Sequence, residues 1–385
     1  MALKRWLAGL LAGTALLAAA QTVPPAEPMA LDLREELQRF PVTVKDLYGR
    51  EETRQIPLTI FRPPGDGPFP LVVMNHGRSL TDRRALQGRQ RFETLARYLV
   101  GKGFAVFVPT RVGYGETFGE FDPESTGACD SMRAGPAAQA SSDQALATVA
   151  YAKTLPWVDA SRWVVIGQSV GGVTTMAVVA RNPPGLVAAI NFSGGTGGNP
   201  ETRPGNPCSP TVLARFWEGQ AATAKLPMLW IYWLNDLFWG PEWPRRWAKA
   251  WADGGGQVDL QQLPAVGSDG HGGLGIDMDH WVPLVEAHLA KAGFTKPGLV
   301  ARPPASGFAK IDEVDKVPTS AAVRDGIYQR FLAAKSPRAF AVGAGGAAGY
   351  ANGDWAPGKA LGFCQARRGQ PCKLYAVDDD VVWVP

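Results

Sequence analysis

Between residues 69 and 295 the chain alternates between two kinds of apolar segment. Five short runs are apolar at nearly every position: "LVVM" (71–74), "FAVFV" (104–108), "WVVI" (163–166), "LVAAINF" (186–192) and "MLWIYW" (228–233). Such runs predict strands covered on both faces. Between them, apolar residues recur at helical spacing in "FETLARYLVGKG" (92–103), "SSDQALATVAYAKTL" (141–155), "GGVTTMAVVARN" (171–182) and "PEWPRRWAKAWADGG" (241–255). Ser142 or Asp143 is expected near the N-cap of the second of these. "QVDLQQLP" (257–264) predicts a sixth strand and "HWVPLVEAHLAKAGF" (280–294) a closing helix. Upstream, residues 40–63 alternate as a hairpin does, with its turn at Tyr48–Gly49.

Strands alternating with helices imply a mostly parallel sheet with helices on both faces, and the hairpin adds antiparallel edge strands. Ligands of such sheets bind at the carboxyl ends of the strands. That rule puts His76, Ser169, Asp236 and the loop carrying His271 on one rim. Two stretches interrupt the alternation, an irregular one at 113–135 and a Gly/Pro/Asn-rich one at 194–205.

The 385 residues are 45% hydrophobic and 19% charged, which suits a large packed core plus a small module and excludes global disorder. The formal charge is +4, with no basic run of the kind that binds nucleic acid. Lys4 and Arg5 precede the apolar stretch "WLAGLLAGTALLAAA", and Ala18 and Ala20 satisfy the small-residue rule for cleavage before Gln21. We therefore expect residues 1–20 to be a signal peptide, with a periplasmic or secreted product and no membrane span after cleavage. Residues 21–39 are expected to be a linker, 40–295 the α/β domain and 296–385 a small C-terminal α+β module.

Export makes the four cysteines candidates for two disulfides, with three possible pairings. The closeness of Cys364 and Cys372 favours joining them, which leaves Cys129 to join Cys208. The cysteines and histidines have no zinc-site spacing. "DMDH" (277–280) and Asp378-Asp379-Asp380 read as solvated turns, so neither metal nor cofactor is expected.

The chemistry centres on "VVIGQSVGG" (164–172). Gly-x-Ser-x-Gly between a strand and a helix is a nucleophile elbow: the serine sits in a strained turn, and side chains two residues away on either side would collide with it. The turn aims the Val170 N–H and a helix N-terminus at the point where the hydroxyl emerges. A serine hydroxyl needs a base. His271, in the glycine-rich loop "SDGHGG" between the last strand and last helix, is placed to reach back, whereas His280 and His288 fall in the helix. The base needs an anionic partner, and the strand end "YWLND" offers Asp236, with Asp269 as second candidate. "NHGRS" follows the first central strand and supplies a second oxyanion donor, the N–H of Arg78, with His76 and Gly77 shaping the turn. His76, Tyr114, Phe238 and Trp239 are expected around a substrate pocket.

Together "FPLVVMNHG", "RVGYGET", "VDASRWVVIGQSVGG", "AAINFSGGTGG", "LWIYWLND" and "GSDGHGG" resemble the α/β-hydrolase fold over residues 40–294, and more narrowly its dienelactone-hydrolase-like branch. The resemblance implies a Ser169–His271–Asp236 triad acting through an acyl-enzyme. Dienelactone hydrolases proper carry a cysteine nucleophile, so Ser169 points instead to general esterase or peptidase chemistry. The tail faintly resembles small cysteine-containing modules appended to exported bacterial proteins; its order is expected to be strand, glycine-rich loop, helix, disulfide, strand. The function expected is cofactor-free hydrolysis of small or acyl esters. A peptidase of the same fold, or a non-catalytic envelope-associated binding protein, are the alternatives.

Overall fold

Successive side chains of a strand point to opposite faces, and here both faces are buried. Leu71 and Val73 enter one core with Trp163, Val165, Trp230 and Tyr232. Val72 and Met74 enter the other with Val164, Ile166, Leu229, Ile231 and Trp233. This is why the strands read as unbroken apolar runs. The computed structural model describes residues 29–30, 33–79, 81–298, 303–353, 355–368 and 372–385; the expected signal peptide lies outside them.

Among the described residues the main sheet has eight strands: β1 (Glu36–Lys45), β2 (Glu51–Phe61), β3 (Phe69–Asn75), β4 (Ala105–Pro109), β5 (Val158–Gln168), β6 (Leu186–Phe192), β7 (Met228–Trp233) and β8 (Val258–Leu263). Their order is β1-β2-β4-β3-β5-β6-β7-β8. β1 pairs antiparallel with β2, and β2 antiparallel with β4. From β4 across to β8 every pairing is parallel. Helices α2 (Ala134–Ala152), α3 (Val170–Ala180), α4 (Pro210–Ala221) and α5 (Glu242–Asp253) contribute to the first core, and α1 (Glu93–Gly101) and α7 (Met278–Lys291) to the second. The four-residue α6 (Gly273–Ile276) precedes α7.

Two local expectations need correction. α2 starts at Ala134, eight residues before Ser142, which therefore lies inside the helix. The Ser141 and Ser142 hydroxyls donate to the carbonyls of Ala138 (3.1 Å) and Gln139 (2.9 Å). Their polar groups are thus met within the helix instead of ending it. β1 begins at Glu36, inside the expected linker, with Ala30 and Leu33 buried beside it. The segment after Cys208 holds α4, whose Leu213 and Trp217 are fully buried.

The C-terminal residues hold short helices α8 (Ala321–Val323) and α9 (Gln329–Ala333), a second sheet and α10 (Ala356–Arg368). That sheet contains β9 (Arg338–Gly343), β10 (Ala347–Asn352), β11 (Cys372–Val377) and β12 (Asp380–Val381), in the order β10-β9-β11-β12. The expected glycine-rich loop therefore contains a strand. Gly345 and Gly346 turn at φ 65° and 77°, and β10 folds back with Tyr350 opposite Phe340. Asp378 and Asp379 bind the backbone N–H and guanidinium of Arg338 (2.9 and 2.7 Å). The pairs Cys129–Cys208 and Cys364–Cys372 are both disulfide-bonded.

Candidate active site

β5 ends at Gln168 and α3 starts at Val170, so Ser169 alone makes the turn, at φ 56° and ψ −123°. A non-glycine residue there is strained and persists only because its surroundings fix it. The flanking glycines show how tight the turn is. A Cβ on Gly167 would lie 1.9 Å from the Gly171 carbonyl oxygen, and one on Gly171 would lie 2.0 Å from that of Asn75. Neither contact leaves room for any side chain, so both glycines are dictated by the close approach of backbones.

β3 lies beside β5, with Asn75 level with Gly167, so the chain leaving β3 passes Ser169 directly. A Cβ on Gly77 would come within 3.0 Å of the Ser169 Cβ. Asp236 follows β7 and His271 follows β8. His271 Nδ1 lies 2.9 Å from Asp236 Oδ2. The other carboxylate oxygen accepts the N–H groups of Phe238 (2.8 Å) and Trp239 (3.2 Å). Asp269 plays a different part: its Oδ1 accepts the backbone N–H groups of His271 and Leu237, both at 2.9 Å, and so staples the histidine loop to the turn after β7.

A strained serine at the end of the central strand, flanked by parallel strands in this order, has one structural reading. The chain has the fold of the α/β-hydrolases. The family model of the S15 peptidases, described as X-Pro dipeptidyl-peptidase, matches residues 52–236, from β2 to the carboxylate that meets His271. Among solved structures, the chain is similar to the acylaminoacyl peptidase of Pyrococcus horikoshii, with 16% identity, 62% of this chain and 38% of that chain covered, and a TM-score of 0.41. It is also similar to a puromycin-hydrolyzing peptidase of Mycobacterium tuberculosis, with 19% identity, coverage of 67% and 39%, and a TM-score of 0.44. A Klebsiella pneumoniae protein provisionally assigned as a dienelactone hydrolase is covered over 99% of its length by 66% of this chain, at 17% identity and a TM-score of 0.42. The chain thus spans less than half the length of these two peptidases. No curated protein matches it.

The loop after β3 rests on a buried polar scaffold. His76 is wholly buried; its Nε2 accepts the Arg111 N–H (3.0 Å) and its Nδ1–H donates to the Gly77 carbonyl (2.7 Å). Burial and the nearby Arg111 guanidinium hold its pKa well below the usual imidazole value, so it stays neutral. Arg111 pairs with Glu124 (2.6 Å) and donates to the His76 carbonyl (2.9 Å), while the Tyr114 hydroxyl donates to Glu124 (2.7 Å). The Arg78 side chain pairs with Asp122 (2.6 Å), and Gln87 Nε2 donates to the Gly77 carbonyl (3.1 Å). His76 and Tyr114, both 0% exposed, therefore do not line a pocket; they hold the loop that presents the Arg78 N–H. Among the described residues, the N–H groups of Arg78 and Val170 have no acceptor.

Trp239 also departs from expectation. It is 1% exposed, donates its indole N–H to the Ser193 carbonyl (2.7 Å) and packs edge-on to Trp247. Phe238 is half-buried and lies against the His271 ring. Sequence reasoning missed Gln168, whose Nε2 donates to the His271 carbonyl (2.9 Å) and ties the histidine loop to the residue before Ser169. It occupies the variable position of the elbow motif, where nothing in the sequence marks it. Sequence reasoning also missed the Arg111–Glu124 and Arg78–Asp122 pairs, which are set by tertiary contact alone.

Proposed function

We propose that the protein is a serine hydrolase that cleaves carboxylic esters through an acyl-enzyme. The observation that carries this reading is the 2.9 Å hydrogen bond between His271 and Asp236, in a loop that Gln168 anchors beside the strained Ser169. In this reading Ser169 Oγ attacks the acyl carbon and its proton passes to Nε2 of His271. Asp236 fixes the Nδ1–H tautomer and stabilises the imidazolium. The N–H groups of Val170 and Arg78 receive the developing oxyanion. The alcohol leaves with the proton from Nε2, and water then releases the acid by the same route in reverse.

Peptide cleavage is the second reading, favoured by the S15 family match. An aminopeptidase-type site needs an uncommitted acid for the substrate amine. The acids beside the oxyanion loop, Asp122 and Glu124, are instead bound by Arg78, Arg84 and Arg111, which supports the ester reading. A fluorophosphonate probe should label Ser169, and Ser169→Ala should abolish labelling and lower turnover by roughly 10³-fold or more. Rates on p-nitrophenyl esters should exceed those on aminoacyl-anilides; the reverse order would overturn the ester assignment. We also infer export to the periplasm or beyond, supported by Lys4 and Arg5 before the apolar run and by two disulfides. Sequencing of the mature N-terminus should find Gln21.

A further inference from the structure

We propose that Phe238 is a positioning residue that fixes the plane of the His271 imidazole and so aims Nε2 at Ser169; the inference rests on the triad reading above. A single hydrogen bond from Nδ1 to Asp236 fixes one point of the ring and leaves it free to tip about that bond. The Phe238 ring removes this freedom. It lies flat on the imidazole, with centroids 3.9 Å apart and planes 24° from parallel. Trp239 meets the same imidazole nearly edge-on, at 5.6 Å and 69°.

The clamp and the acid are one structural unit. Phe238 and Trp239 donate their backbone N–H groups to Asp236 Oδ1, while Oδ2 faces His271. The turn closes with the Gly240 N–H on the Asp236 carbonyl at 2.8 Å. Phe238 is itself backed by the loop after β6, where a Cβ on Gly198 would fall 2.9 Å from the Phe238 ring. The same two residues thus hold the carboxylate through their backbone and meet the imidazole through their rings. The groups facing His271 from the surrounding elements are Asp236 from the turn after β7, Asp269 through the backbone N–H, and neutral Gln168 from β5. An aromatic face adds a stabilising contact for the imidazolium that forms during attack.

The test uses the full chain with Phe238→Leu, which keeps an apolar side chain but loses the flat face, and Phe238→Tyr, which restores it. Phe238→Met replaces the leucine variant should that one fail to fold. On p-nitrophenyl butyrate, Phe238→Leu should lower kcat by about 10- to 100-fold with KM unchanged within about twofold, as expected for a misaligned base. Phe238→Tyr should restore kcat. A raised KM with unchanged kcat would make Phe238 a wall of the acyl site and overturn the inference, as would a tyrosine variant no faster than the leucine one. In either case a wild type that labels at Ser169 and turns over ester leaves the triad reading standing. A wild type that does neither overturns both.

Discussion

Asp236 and His271 stand 35 positions apart in the chain, yet they meet through a 2.9 Å hydrogen bond. Asp269, only two residues from the histidine, binds backbone N–H groups instead. Strand ends, not nearness in sequence, place the carboxylate. Asp236→Asn should lower kcat by roughly 10⁴-fold, because an amide cannot hold the required tautomer. Asp269→Asn keeps an oxygen that accepts the two N–H groups and should cost no more than about tenfold. Steady-state kinetics of the two variants decide this, and the opposite order would move the acid into the histidine loop.

The two disulfides enclose very different lengths of chain. Cys129–Cys208 spans a sequence separation of 79 and Cys364–Cys372 one of 8. On chain entropy the first stabilises by about 4–5 kcal/mol and the second by about 2–3 kcal/mol. Alanine replacement of Cys129 and Cys208 should therefore lower Tm more than replacement of Cys364 and Cys372. Both variants, where folded, should still take a fluorophosphonate label. Equal losses in calorimetry would show that local contacts outweigh loop closure.

α10 of the C-terminal module packs against α6, the short helix that follows the His271 loop. A Cβ on Gly362 would lie 1.7 Å from the Gly275 carbonyl oxygen, four residues beyond His271. Nearby, Thr94 donates to the Gly358 carbonyl (3.2 Å) and Lys359 pairs with Asp279 (2.7 Å). Gly362→Val should push α10 off α6, lower Tm and reduce kcat by loosening the histidine loop. Lys359→Ala, which leaves the backbone contact intact, should change kcat less than twofold. Unchanged activity in a folded Gly362→Val variant would show that the module does not support the site.

His76 must be neutral to accept the Arg111 N–H, and its burial holds it so. Its pKa is depressed on folding. The stability it gives is therefore fully present above the unfolded value of about 6.5 and is lost as pH falls below it. The expected slope is up to about 1.4 kcal/mol per pH unit from this group. His288, whose pKa burial also lowers, adds in the same direction. Denaturant titrations from pH 7 to pH 5 should show the decline, and His76→Gln should flatten it. An unchanged slope would mean that His76 takes up its proton equally in the folded and unfolded states.

Local pattern was enough to read the central strands and the elbow. Strands buried on both faces must be apolar at nearly every position, so "LVVM", "WVVI" and "MLWIYW" declared themselves, and strict glycines around Ser169 have no other use than a tight turn. Of the three possible pairings of the cysteines, the closeness of Cys364 and Cys372 favoured the one that formed. What carries no local signal had to wait for tertiary structure. The register of β3 beside β5 brings the loop at Gly77 against Ser169. Packing, not composition, buries His76 and Tyr114 on the Arg111–Glu124 pair and so makes them supports instead of pocket walls. The strand β10 was hidden because alanine and glycine have weak strand preference, and only pairing with β9 makes it a strand. The stacking of Phe238 on His271 depends on two turns from different strands meeting at one point. Local pattern reports what each segment prefers; which segments touch is decided by the packing of the whole sheet and its helices.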